Sequence, residues 1–394
     1  MNVKVLVSDE KDSRKRLSVT KDFKKGEVIY KEEPVVVALD IDLQGKGTHC
    51  THCLRVVDQD TAVKPENDRL KSVYCSKDCE AKSKAQSDNL LFGLEPVLPA
   101  ELDSGLGRLT QGERDKAQTK FVSHLESQGK LAPLLVARFV ARQVAIETGK
   151  MNPHKPTSSP ADLHALVDGE DDYGLYDHME RLRFIEANPT EEDTKVLCDV
   201  LATALPGLDK SLEGQHSKYL GKMNYNAFGV VFENGRDDKP KTSERPEDQE
   251  RTRTPYGTSR QVGSGFYAVS SYIGHSCSPS ATPSFPSGTS EIAIVAARDL
   301  KEGDELTISY VDCNVNEGET SEEATRRRRY ELARGWRFKC ECSRCASEVT
   351  PGDNEGHLGV EADESKVDDV AVHERGEQPQ PAEASWIPVG PALD

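Results

Sequence analysis

No stretch of this chain is apolar for long enough to cross a bilayer, which takes about 18 or more such residues in a row. The richest run, Leu134 to Ile146, is interrupted by Arg138 and Arg142. The opening residues MNVKVLVSDEKDSRKR have no apolar core of a secretory signal, so neither export nor a membrane association is expected. A basic excess is lacking too: 51 Lys+Arg stand against 68 Asp+Glu, a formal net charge of -17. That balance argues against direct nucleic-acid binding, which works chiefly by neutralising phosphates. Long apolar content is modest, with 36% hydrophobic and 30% charged residues, so solvated insertions or tails are expected beside the core. At 394 residues there is still room for one large domain or two to three smaller ones.

The ten cysteines lack the even spread of a disulfide framework. Seven fall in short-spaced groups: Cys50 with Cys53, Cys75 with Cys79, and Cys340 with Cys342 and Cys345. Cys198, Cys277 and Cys313 stand apart, and Cys198 and Cys313 are read as unpaired core residues. Without a signal peptide, clusters of this kind point to bound zinc in a reducing compartment, the cytoplasm or the nucleus. The first two groups form a C-x2-C and a C-x3-C pair with 21 residues between them. Each knuckle turn puts both sulfurs on one side, so the two pairs can close one tetrahedral site. His49 and His52 are substitute ligand candidates. The last group, C-x-C-x2-C, supplies three ligands and needs a fourth from Cys277, Cys313 or a histidine.

The pattern along the chain reads as an α+β fold. Val3, Val5 and Val7 alternate as in a strand, Val28-Ile29-Tyr30 follows a Lys25-Gly26 turn, and Val35-Val36-Val37 continues the pattern. From about 81 to 222 the apolar spacing becomes helical, clearest in Leu134 to Thr148 and Tyr176 to Ile185. Residues 233 to 261 are polar and read as a long surface loop. Tyr267 to Ile273, Glu291 to Ala297 and Glu305 to Val311 read as strands, with a turn at Leu300 to Asp304. A helix is expected over about Ser321 to Arg334, its Arg326 to Arg329 run forming a solvated face. Gly263-Ser264-Gly265 is followed by no lysine and opens no helix, so it is not read as a nucleotide loop. From Ala346 to Asp394 there are twelve Asp+Glu and two Lys+Arg, the composition of a disordered acidic tail.

Four segments together resemble the SET-domain protein-lysine methyltransferases. Gly274-His275-Ser276-Cys277-Ser278-Pro279 resembles their N-H-S-C-x-P motif, and Gly303-Asp304-Glu305-Leu306-Thr307-Ile308-Ser309-Tyr310 their G-E-E-L-T-x-x-Y strand. The C-x-C-x2-C group is similar to their post-SET zinc motif, and Asp22 to Ile29 to their opening turn and strand. A finger and helical insert between the two halves is the order of the SET-and-MYND group. The resemblance implies a SET β-clip fold divided as follows: 1–47 N-terminal SET part, 48–82 finger, 83–222 helical insertion, 223–313 core SET, 320–346 post-SET motif, 347–394 tail. It implies S-adenosylmethionine as cofactor, two structural zinc ions, and a protein or histone lysine as substrate, handled by a monomer. Asn226, Gly274, His275, Tyr310 and Phe338 would contact the cofactor, Tyr310 would be catalytic, and Cys277 would join Cys340, Cys342 and Cys345 on the second zinc.

The sequence also departs from that family. The usual G-x-G beside the cofactor is replaced by Arg14-Lys15-Arg16, the motif asparagine by Gly274, and a later asparagine by Ser280. The finger carries one ligand set, Cys50, Cys53, Cys75 and Cys79, where a full MYND finger carries two. The arginines would block the cofactor or bind its carboxylate. Two functions are therefore carried forward: a protein-lysine N-methyltransferase, and a catalytically degenerate SET-fold interaction scaffold held by zinc.

Overall fold

The computed structural model describes residues 2–7, 15–93, 110–150, 175–205, 207–212, 214–240, 250–253 and 260–348. Arg14, nearly all of the acidic tail and much of the 233–261 loop lie outside these residues. Three antiparallel groups carry the sheet structure. Strand β1 (Val3–Val7) pairs with β2 (Lys15–Val19), Val3 opposite Val19. Strand β3 (Val28–Glu32) pairs with β9 (Ile292–Ala296), which also pairs with β8 (Ala281–Ser284). Strand β4 (Val36–Leu39) pairs with β6 (Gln261–Phe266), flanked on the other side by β5 (Phe228–Val231). Every N-terminal strand beyond the first hairpin thus finds its partner more than 200 residues later, so the two sequence halves make one core.

The turns obey the sequence. Gly26 and Gly303 take φ values of +87° and +90°, conformations that disfavour any side chain. Gly263 and Gly265 lie inside β6; a Cβ at Gly263 would meet the Ala38 carbonyl at 2.3 Å, so close strand approach explains that glycine.

Between the halves come the finger, with α1 (Lys77–Ser83), and the helical insert. The insert's main helices are α3 (Gln111–Gln128), α4 (Ala132–Lys150), α5 (Leu175–Glu180), α6 (Glu191–Ala204) and α8 (His216–Asn226), with short α2 (Asn89–Leu91) and α7 (Leu208–Leu212). Thr110 and Thr190 start α3 and α6 with reciprocal capping boxes. The arginines that interrupt the apolar run fasten the insert to the sheet. Arg138 Nη1 donates to the Val37 carbonyl at 2.5 Å, and Arg142 reaches the Val35 carbonyl, both side chains buried.

Three expectations need correction. The helix read over Tyr176 to Ile185 ends near Glu180, because the Lys222 ammonium takes the Met179 and Glu180 carbonyls and Asn226 takes that of Arg183. Tyr267 to Ile273 is not a strand but leads into a tight 3-10 turn over Ser270–Tyr272. The buried Glu32 carboxylate accepts from Val269 N–H at 2.7 Å, Ser270 N–H at 2.9 Å and Ser270 Oγ at 2.7 Å, replacing ladder partners. The Arg326 to Arg329 run, on α9 (Ser321–Trp336), is not a solvated face. Only Arg326 is exposed; Arg328 is fully buried against Glu348, and Arg327 pairs with Glu319. Short α10 (Ser343–Ser347) closes the described chain.

Glu32→Ala would strand two buried N–H donors beside the turn that leads into Gly274. We expect a loss of about 3 kcal/mol in stability, read by urea unfolding of the metal-loaded protein.

Candidate functional site

The thiols meet in two groups. In the finger, the Leu54 N–H returns to the Cys50 carbonyl at 2.8 Å, and Leu54 takes a left-handed φ of 63°, which closes the knuckle. Ser76 caps α1 by accepting from Cys79 N–H, aiming Cys75 and Cys79 back at the knuckle. The four sulfurs lie within 4.8 Å of one another, with Cys53–Cys75 at 3.7 Å and Cys75–Cys79 at 3.5 Å. A tetrahedral zinc with ordinary Zn–S bonds needs sulfurs about 3.8 Å apart, so the donor set fits that ion. His49 is not a member. Its Nε2 faces the Gly235 carbonyl at 2.9 Å and its Nδ1 the Thr48 hydroxyl, which docks the finger on the residues after β5.

The second group joins Cys277, Cys340, Cys342 and Cys345, again within 4.8 Å, with Cys277–Cys345 at 3.5 Å and Cys277–Cys340 at 3.9 Å. All ten cysteines are free of disulfides. Hydrogen bonding from Cys53 pushes the Cys50 thiol down, and that from Cys277 pushes Cys340 down. Their partners Cys53 and Cys277 are pushed up in turn, as expected where thiols share a site, and a bound metal would favour the thiolate form of all four. Cys313, read from sequence as an unpaired core residue, is free of a disulfide and packs against the core; it also bonds Ser309 Oγ at 2.9 Å and turns its thiol towards Cys277 at the edge of this group.

The Gly-His-Ser-Cys turn and the tyrosine strand meet through a two-residue parallel pair. Strand β7 (Gly274–His275) lies beside β10 (Thr307–Ile308), Gly274 opposite Thr307 and His275 opposite Ile308. Beyond the pair, the Tyr310 N–H donates to His275 Nδ1 at 3.0 Å, which leaves Nε2 to carry the ring proton; Nε2 faces Cys277 Sγ at 3.3 Å. The Tyr310 hydroxyl donates to the Ile273 carbonyl at 2.7 Å, and burial pushes the phenol well above its ordinary value while Arg253 pulls it back. Aromatic rings surround it: Trp336 with centroids at 4.7 Å, His275 at 5.3 Å, Phe338 at 6.3 Å and Tyr225 at 6.4 Å.

Asn226, at the end of α8, is on the same side of the site but fully engaged. Its Nδ2 donates to the Arg183 and Lys222 carbonyls at 2.7 and 2.8 Å, and its Oδ1 accepts from Arg253 Nη2 at 2.7 Å. Sequence reasoning missed Arg253, Tyr225 and Trp336. Arg253 sits in the polar stretch read as a surface loop, and nothing in its neighbours marks it as buried. Trp336, two positions before Phe338, is one of only two tryptophans and was the more findable.

The departing residues also have definite places. Arg16 Nη1 pairs with Glu305 Oε2 at 3.1 Å, both half exposed. A Cβ on Gly274 would meet Glu305 Oε1 at 3.6 Å, an ordinary contact, so the missing side chain leaves room rather than strain. Ser280 Oγ donates to the Glu305 carbonyl at 2.9 Å and accepts from Thr307 N–H at 2.8 Å, stitching β8 to the tyrosine strand.

Metal analysis should return two zinc ions per chain. Cys345→Ser should reduce this to one, leaving the finger's ion in place, and chelation of both should lower the melting temperature by roughly 10 °C or more. A count of zero or three would contradict these ligand sets.

A profile of the SET domain matches residues 16–311. A SET and MYND domain-containing protein of Dictyostelium discoideum is 24% identical over 329 residues, 82% of this chain and 78% of the relative. The protein-lysine N-trimethyltransferase SMYD5 of Mus musculus is 35% identical over 88 residues, 22% of this chain and 20% of the relative. The histone-lysine N-methyltransferase SMYD3 of Homo sapiens is 32% identical over 124 residues, 30% of this chain and 27% of the relative. The chain thus spans less than a third of either named methyltransferase in these matches. No helix among the described residues is long and apolar enough to cross a membrane. With the domain match covering well over half its length, two strand sets meeting across an insertion and two four-thiol clusters that fit zinc, this chain belongs to the SET-domain family of methyltransferases.

Proposed function

We propose that the chain transfers a methyl group from S-adenosylmethionine to a lysine side chain of a protein, a histone or another. The observation that carries this is the placement of the Tyr310 hydroxyl, within an aromatic enclosure, beside His275 and the Ile273 carbonyl. Main-chain carbonyls and ring faces suit a positively charged group, and one already stands there: the Arg253 guanidinium, 5.0 Å from the Tyr310 ring centroid. Residues of this kind fit a sulfonium ligand. Asn226, Gly274, His275 and Phe338 would hold it, and Tyr310 would face the acceptor amine. When bound, the cofactor supplies an electrophilic methyl on sulfur.

The protein's own share is alignment and exclusion of water. A lysine amine, with a pKa of about 10.4 in water, must lose its proton before it can attack. Entry into a buried site beside another positive charge lowers that pKa. The Tyr310 hydroxyl and the Ile273 carbonyl would then orient the neutral amine along the transfer axis. Besides its place beside the cofactor, His275 would position Tyr310, since its Nδ1 accepts from the tyrosine's backbone N–H. Phe338, two residues before Cys340, has its ring centroid 5.7 Å from that of His275, and zinc held by Cys277, Cys340, Cys342 and Cys345 would fix it there. The acidic charge balance supports protein rather than nucleic-acid substrates, acted on by a monomer in the cytoplasm or nucleus.

A scaffold without catalysis is the second reading, favoured by one observation: Asn226 Oδ1 is already bonded to Arg253. Calorimetric titration with S-adenosylmethionine separates the two. Micromolar binding supports the enzyme, and no heat at millimolar ligand leaves the scaffold. Tyr310→Phe should cut methyl transfer to histones or lysate proteins about a hundredfold with zinc content unchanged, since a slight misplacement of the reacting amine is that costly. Equal activity in the variant would remove Tyr310 from the reaction.

A further inference from the structure

Arg253 is fully buried, 1% exposed, and yet has no carboxylate partner among the described residues. Its Nε donates to the Tyr225 carbonyl at 2.9 Å, Nη1 to the Ser271 and Ile273 carbonyls at 2.6 and 3.2 Å, and Nη2 to Asn226 Oδ1 at 2.7 Å. Three ring faces complete the enclosure, with Tyr310, Tyr225 and Phe228 centroids at 5.0, 5.2 and 5.9 Å. A charge removed from water without a counter-ion is costly. Carbonyl dipoles and ring quadrupoles offset that cost only for a cation. The fold has therefore built a cage for one positive charge and has filled it from its own chain.

Two of the cage's walls are groups of the transfer site proposed above. The Ile273 carbonyl accepts from both Arg253 Nη1 and the Tyr310 hydroxyl. Asn226 offers its one amide oxygen to Arg253 while both its N–H groups are bonded elsewhere. A sulfonium, or an ammonium on its way to the tyrosine, needs the same carbonyls and the same amide. Two cations on one set of carbonyls repel each other, and in a site of low dielectric that repulsion is strong.

Arg253 is delivered by a short strap that touches three parts of the protein. The Glu250 carboxylate accepts from Leu131 and Ala132 N–H at 2.8 and 2.5 Å, at the start of α4. Arg251 packs on Gly335 of α9, where a Cβ would meet its Nε at 2.5 Å. The Arg253 N–H donates to the Ala227 carbonyl at 2.8 Å, beside β5. The strap thus lies between the helical insert and the C-terminal helix.

We infer that the enclosure around Arg253 is a binding site for an organic cation, held shut by Arg253 as a resident substitute that the methyl donor and the acceptor amine must displace. The inference rests on the proposed methyl transfer for the identity of the natural cation, but the cage itself does not. The apparent affinity for the donor is then reduced by the fraction of molecules in which the guanidinium is out of the cage.

Full-length, zinc-loaded Arg253→Ala and Arg253→Met proteins test this in two ways. The first is a thermal-shift titration with millimolar methylguanidinium and trimethylsulfonium, against sodium chloride at equal ionic strength. A saturable rise in melting temperature in the variants, absent from the parent protein, is expected; no rise in a variant that keeps both zinc ions overturns the cage. The second is calorimetry with S-adenosylmethionine. The variants should bind about tenfold or more tightly than the parent, and equal or weaker binding by a folded variant overturns displacement. Loss of both zinc ions or of folding in both variants would also overturn it, making Arg253 a fixed clamp. Cation binding in the first test with no S-adenosylmethionine binding by any protein would leave the cage standing and defeat the methyl-transfer reading instead.

Discussion

The imidazole of His275 is the joint on which the site depends. One ring nitrogen accepts the Tyr310 N–H, and the other points at the Cys277 sulfur. A neutral imidazole has one donor and one acceptor, so the first contact fixes the second as an N–H aimed at that sulfur. The tyrosine strand and the C-terminal thiols are thereby coupled: displacing Cys277 would turn the imidazole and release the backbone of Tyr310. A side chain bonded to one of the clustered thiols at one end thus orders the tyrosine backbone at the other, the usual work of residues just outside a metal's ligands.

Such a joint requires partners to be fixed from far apart in the chain. Glu32, on β3, holds the turn before Gly274; Arg138 and Arg142 hold the insert on β4. These are charged side chains used as backbone acceptors or donors at a distance of 100 to 240 residues. Sheet ladders alone could not do it, because β7 and β10 share only two residue pairs. So short a ladder is marginal by itself and persists because the surrounding bonds over-determine it.

Those features explain what could be read from the sequence. The strand alternation at Val3 to Val7, the glycine turns at Gly26 and Gly303, and the knuckle spacings are local signals, and the structure has each of them where local chemistry places it. Cys277 could be joined to the C-terminal thiols only by resemblance, since spacing left its rivals open. The failures are all tertiary. Tyr267 to Ile273 has strand composition, but a carboxylate from β3 supplies the acceptors a neighbouring strand would have supplied. Arg328 and Arg253 look like solvent-facing charges, and both are buried by partners that no window of sequence contains.

The departures from the family pattern divide by where the lost side chain would have pointed. Ser280 replaces an asparagine yet makes two inward bonds, to the Glu305 carbonyl and the Thr307 N–H, and so keeps β8 against the tyrosine strand. Gly274 replaces another asparagine and makes no inward side-chain bond; the strand pairing at that position is main chain only. Arg16, where a glycine would let backbone approach a ligand, turns aside onto Glu305, the residue beside Gly274. Both changes meet at Glu305, whose carboxylate pairs with Arg16 and borders the open space at Gly274. What changes is the lining: an amide is removed and an ion pair is brought near, close to a cage already occupied by a guanidinium. Substitutions that leave packing intact while altering the charge seen by a ligand act on binding and not on folding. The hydrogen bonds of Ser280 and the pairing of β7 with β10 keep the architecture in place, so these departures bear on the lining of the site and not on its frame.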